Sequence, residues 1–103
     1  MNRKNSDVYS KNGYEFDFPD MIFKVNGNSV ELSKIEQKLL YVLIQNENMV
    51  IKRDVLIDRV WTDGGDIVDE NALSVAIKRL RSKLSATKYI VTVYGLGYKW
   101  SLE

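Results

Sequence analysis

Residues 68–84, Val-Asp-Glu-Asn-Ala-Leu-Ser-Val-Ala-Ile-Lys-Arg-Leu-Arg-Ser-Lys-Leu, constrain the fold of this chain more than any other segment. Wound as a helix at about 100° per residue, they put Leu73, Ile77, Leu80 and Leu84 on one narrow stripe. Asn71, Val75, Lys78 and Ser82 fall opposite, with Ser74 and Arg79 to either side. The apolar stripe packs on a core, so the polar face must look outward. A solvated face ordinarily mixes acids and bases at i,i+4 spacing, yet after Glu70 this helix holds no acid. Like charges on one face repel, and a polyanion relieves the repulsion. Short Ser74, Val75 and Ala76 let the backbone come close to such a ligand, while Lys78 and Arg79 reach further.

Shortly downstream, Thr92-Val-Tyr-Gly-Leu-Gly-Tyr98 reads as a strand, a tight glycine turn and a returning strand, with strands expected over 89–93 and 98–102. An ordinary hairpin is sufficient to explain the two glycines. A helix followed by a hairpin is the core of a winged helix, whose recognition helix enters a DNA major groove. The net charge of +1 over 103 residues does not by itself suggest a nucleic-acid partner. Its distribution does. Residues 70–103 carry six basic side chains against two acidic ones, which leaves −3 for residues 1–69.

The upstream residues supply the body. Residues 1–13 are polar and read as a linker remnant or flexible tail, with Val8 and Tyr9 able to pair at a sheet edge. Strands are expected over 14–18, 21–25 and 29–32, separated by Pro19-Asp20 and by Asn26-Gly27-Asn28, whose Asn-Gly pair is a hairpin signal. Ser33-Lys-Ile-Glu36 is a capping box opening a broadly apolar helix that runs to about residue 45. A bridging strand is expected at 49–51. A second helix follows over 53–61 without a side-chain cap at Lys52. The expected fold is α+β: an N-terminal antiparallel sheet, three helices and a C-terminal hairpin wing over residues 14–103.

Composition narrows the chemistry. Hydrophobic content of 45% and charged content of 28% fit one ordinary globular domain. Without cysteine there is no disulfide or thiolate metal site, and without histidine the commonest general base and metal ligand are gone. Asp63, Asp66 and Asp69 are conceivable Mg²⁺ ligands, but no nucleophile, base or phosphate loop accompanies them. The reading is not an enzyme, with no cofactor and no metal. No apolar run approaches the roughly 20 residues that span a bilayer, and no signal segment is visible, so a cytoplasmic location is expected.

Taken in order, these motifs resemble the effector domain of OmpR/PhoB-family two-component response regulators. The residues that carry the likeness are Ser33-Lys-Ile-Glu36 with Leu39-Leu40, then Val50-Ile-Lys-Arg-Asp-Val-Leu56, then Val60-Trp61. Arg79-Leu-Arg-Ser-Lys-Leu84 and Thr92-Val-Tyr-Gly-Leu-Gly-Tyr98 complete it. The segment from Val68 to Val75 is similar to the branch governing resistance to bacitracin and other antimicrobial peptides. The resemblance implies that Ser74, Val75, Lys78 and Arg79 face bases or the groove floor. It also implies that Trp61, Asn71, Arg81, Thr92 and Tyr98 hold phosphates, and that Tyr94 lies in or beside the minor groove. Loop 62–69 corresponds to a segment that contacts RNA polymerase in some members. The implied partner is double-stranded DNA carrying direct repeats, bound by head-to-tail pairs, with the domain monomeric alone and its receiver domain absent from this chain. Three positions depart from the family pattern: Tyr94 stands at a wing arginine, Asn71 at a frequent arginine, and Lys52 at a serine cap. The alternative is a winged-helix protein-interaction module that uses the acidic front, residues 1–69, and its Asp/Gly loop at 62–66.

Overall fold

A computed structural model describes residues 7–61 and 70–102. Four strands open the chain: β1 (Val8–Lys11), β2 (Tyr14–Asp17), β3 (Ile22–Val25) and β4 (Asn28–Ser29). They form one antiparallel sheet in the order β1-β2-β3-β4. Helix α1 (Lys34–Gln45), the short strand β5 (Ile51–Lys52), helix α2 (Arg53–Val60) and helix α3 (Glu70–Leu84) follow. Strands β6 (Ile90–Val93) and β7 (Gly97–Trp100) then make a second antiparallel sheet with β5, in the order β5-β7-β6.

The N-terminal sheet starts earlier than the sequence reading places it. Val8 and Tyr9 pair at the sheet edge as expected, Tyr9 with Phe16, but the strand continues to Lys11 and a turn follows at 12–13, where the sequence suggests a tail. The physical cause is a second Asn-Gly pair. Asn12 at φ 55° and Gly13 at φ 85° take the left-handed conformations of a tight two-residue hairpin. Asn26 at φ 50° and Gly27 at φ 82° do the same for β3 and β4. The two turns also touch, since the Asn26 N–H donates to the Gly13 carbonyl at 2.7 Å. Residues 1–6 of the expected tail lie outside the described residues. The strand expected over 29–32 is shorter than its apolar content suggests. After Ser29 the chain leaves the sheet so that Leu32, 6% exposed, can enter the core and Ser33 can cap α1.

Tyr9, Tyr14, Phe16, Leu39, Leu43, Leu80, Leu84 and Trp100 belong to one buried cluster that joins both sheets to the helices. Trp100 is fully buried, and its indole N–H donates to the Tyr9 hydroxyl at 3.0 Å. That hydroxyl donates in turn to Glu47 Oε2 at 3.0 Å, and Lys11 Nζ reaches Glu47 Oε1 at 3.0 Å. Burial is the largest influence lifting the Tyr9 phenol to about 12. The Trp100 bond opposes the rise and Glu47 adds to it. This relay fixes β1 to the end of α1 and to β7. Among the described residues no helix is long and apolar enough to cross a membrane.

Candidate nucleic-acid interface

Helix α3 sits as its periodicity predicts. Leu73, Leu80 and Leu84 are fully buried and Ile77 is 1% exposed. Asn71, Ser74, Val75, Lys78 and Arg79 are all exposed on the opposite side. The helix ends where Ser85 takes φ 51° and the Ala86 N–H returns to the Arg81 carbonyl at 2.9 Å, a left-handed closure that satisfies a terminal carbonyl. Tyr14 Oη donates to the Ser85 carbonyl at 3.1 Å and ties this end to the N-terminal sheet.

Two of the helix's own cations hold it in place. Lys83 Nζ donates to Glu36 Oε1 at 2.7 Å, and Glu36 is only 4% exposed. The same carboxylate accepts from the Ser33 N–H at 2.9 Å, while Ser33 Oγ accepts from the Glu36 N–H at 3.2 Å, completing the capping box. Burial alone would raise the Glu36 carboxyl. The Lys83 and Ser33 hydrogen bonds outweigh burial and hold it below its ordinary range. On the other flank, Arg81 donates through Nε and one terminal nitrogen to the Ile90 carbonyl, at 2.9 and 2.6 Å. That terminal nitrogen also donates to Thr92 Oγ1 at 2.7 Å. Lys83 therefore fixes α3 to α1, and Arg81 fixes it to β6. Lys78 and Arg79 have no ion-pair partner among the described residues, and their charge faces solvent.

The residues named from the sequence gather at two places. Trp61, Asn71, Val75 and Arg79 line one groove of about 410 Å³ with Ser33, Ile35, Glu36, Ala72 and Ala76, between the start of α1 and the outer face of α3. Trp61 is half-buried at the end of α2. Arg81, Thr92 and Tyr98 meet on the wing side. Tyr98 is 5% exposed. Two guanidinium groups stand over its ring, Arg53 at 5.7 Å and Arg81 at 5.9 Å from its centroid. Its hydroxyl accepts from an Arg53 terminal nitrogen at 3.4 Å.

Arg53 is the residue that sequence reasoning missed. It is the first residue of α2, directly after the uncapped Lys52, and that position was the available signal. Tyr94, at the tip of the β6–β7 turn, is 91% exposed. Loop 62–69, including Asp63, Asp66 and Asp69, lies outside the described residues.

Residues 27–100 match the family described as transcriptional regulatory protein, C terminal. The response regulator ArlR of Staphylococcus epidermidis is 40% identical over 97 residues, which cover 91% of this chain and 44% of that protein. The chain thus spans less than half the length of the curated relatives it matches. The response regulator DrrB of Thermotoga maritima, an OmpR/PhoB homolog, superposes with a TM-score of 0.82 at 25% identity, over 92% of this chain and 44% of the other. The DNA-binding domain of RstA from Klebsiella pneumoniae, solved in complex with the RstA box, gives 0.79 at 28% identity over 91% and 96% of the two chains.

Proposed function

Since the chain belongs to the family of C-terminal domains of transcriptional regulatory proteins, we propose that it binds double-stranded DNA sequence-specifically, as the effector domain of an OmpR/PhoB-type response regulator. One observation carries the reading. Helix α3 is clamped on both flanks, by Lys83 to Glu36 and by Arg81 to Ile90 and Thr92, while Ser74, Val75, Lys78 and Arg79 stay exposed between the clamps. A rigid element that presents short side chains beside two long cations suits a major groove, where arginine pairs with guanine O6 and N7.

Phosphates then lie at the two flanks. Trp61 and Asn71, in the groove beside α1, hold one strand. Arg81, Thr92 and Tyr98, with Arg53 beside them, hold the other. Tyr94 stands at the adjacent minor groove. Residues 8–103 form the working domain. It is monomeric alone, pairs head to tail on direct repeats, and uses loop 62–69 toward RNA polymerase in the cytoplasm.

Binding to a cognate and a random duplex, titrated with salt, tests this. Arg79→Ala should cost about 1–3 kcal/mol on the cognate site and relax the requirement at one base pair. It should cost far less on random DNA. An equal loss on both duplexes removes the base-reading role, and no binding at about 50 mM salt favours the protein-interaction module instead.

A further inference from the structure

We propose that the wing tip, Tyr94 with Leu96, is an uncharged minor-groove probe that selects easily opened grooves over narrow A-tract grooves. This rests on the DNA-binding reading above and adds what the wing discriminates. Among the described residues Tyr94, at 91%, is the most exposed large apolar side chain, and Leu96 is 53% exposed. Exposure alone does not mark a contact surface, since single apolar side chains are common in water; the fixed placement of these two beside α3 is what points to one.

The support here is fixed. The Leu96 N–H donates to the Val93 carbonyl at 3.0 Å, and the Leu96 carbonyl accepts from the Arg53 N–H at 3.2 Å, so the turn is pinned to α2. Gly97 lies so close to β5 that a Cβ there would stand 1.9 Å from the Ile51 carbonyl oxygen. Two residues before the tip, Thr92 takes the Arg81 bond. The tip and the exposed face of α3 are therefore parts of one rigid surface.

That surface has a division of charge. From Tyr89 through Tyr98 no residue is charged. A narrow A-tract groove concentrates negative potential and rewards an inserted arginine or lysine. The tip of this wing, between Lys88 and Lys99, has neither to offer. Tyr94 offers a ring and a hydroxyl. The ring needs room in a groove about 6 Å wide, and the hydroxyl can donate to adenine N3 or thymine O2. Making that room costs least at pyrimidine–purine steps, which open and unstack readily. The α3 cations hold the duplex, and the wing then sorts sites by how easily the flanking groove widens.

The test uses one duplex core bound by α3, with the wing-side flank either AAAA or alternating TpA steps and a 2-aminopurine reporter in the flank. The wild-type chain should bind the TpA flank several-fold more tightly and raise the reporter fluorescence. Tyr94→Ala should lose about tenfold on that flank, become indifferent between flanks and leave the reporter quenched. Tyr94→Arg should reverse the preference and steepen the salt dependence by about one unit of slope. A wild-type chain indifferent to the flank overturns the inference while leaving DNA binding intact. So does a Tyr94→Ala loss seen only on duplexes holding two copies, which would assign the tip to a neighbouring protein. No binding to any duplex overturns this inference and the DNA-binding reading together.

Discussion

Arg79 and Arg81 are two residues apart and have the same side chain, yet the fold gives them different work. Arg79 is exposed beside the groove lined by Trp61 and Asn71. Arg81 is half-buried with its donors on Ile90 and Thr92. Charge-assisted bonds of this kind contribute more than neutral ones, so Arg81→Ala should lower unfolding stability by about 1–3 kcal/mol in urea. Arg81→Lys should recover little of it, because an ammonium cannot reproduce the fork. Both variants should weaken binding on cognate and random DNA alike, since they loosen the seat of α3 on the wing and disturb the proposed phosphate contact there. A wild-type urea midpoint for Arg81→Ala would contradict the clamp. The sequence sorted α3 into its two faces correctly but could not separate these arginines. Angular position alone does not say where β6 runs, and β6 decides which guanidinium is occupied. The same limit applies to Tyr98, whose burial depends on a sheet partner, Ile51, that lies far away in the chain.

At the scale of elements, the starts of α1 and α2 make opposite predictions. The α1 start is fully capped, and its Glu36 carboxyl lies below the ordinary value of 4.5. A depressed folded-state value means that its contribution is present above about pH 4.5 and is lost as pH falls through the folded value. Glu36→Gln should therefore be less stable than wild type at pH 7 and should show a flatter acid limb, with the two curves converging at low pH. Parallel curves would contradict the assignment. The α2 start has no side-chain cap, since Lys52 cannot accept from an amide. Lys52→Ser should raise stability by about 0.5–1 kcal/mol in chemical denaturation. Both features were legible in the sequence, because capping is local chemistry. Strand β1 was legible only in part. Its Asn12-Gly13 turn carries the same signal as Asn26-Gly27 but follows a polar stretch, and the relay from Trp100 through Tyr9 to Glu47 that secures it joins residues distant in sequence.

For the whole molecule, the two sheets and α1 form a frame that leaves one helix face and one turn outward. The frame is tied at the edges that matter for reading DNA: α3 to α1, α3 to β6, and the wing turn to α2. Charge follows the same plan, with the excess of cations in residues 70–103 and a net negative charge over residues 1–69. The order of motifs along the chain made this architecture readable in advance, since each element's neighbour in sequence is usually its neighbour in space. The long-range β5–β7 pairing, the Lys83–Glu36 tie and the Trp100–Tyr9 bond are exceptions. Selection of bound sites from a pool of random duplexes, run with the wild-type chain and with Arg79→Ala, tests the central claim most directly. The wild-type chain should enrich one short half-site, and Arg79→Ala should lose information at a single base pair while keeping the rest. A wild-type pool that stays random after repeated rounds, or an Arg79→Ala pool that yields the unchanged half-site, would contradict the assignment of α3 as the reading helix.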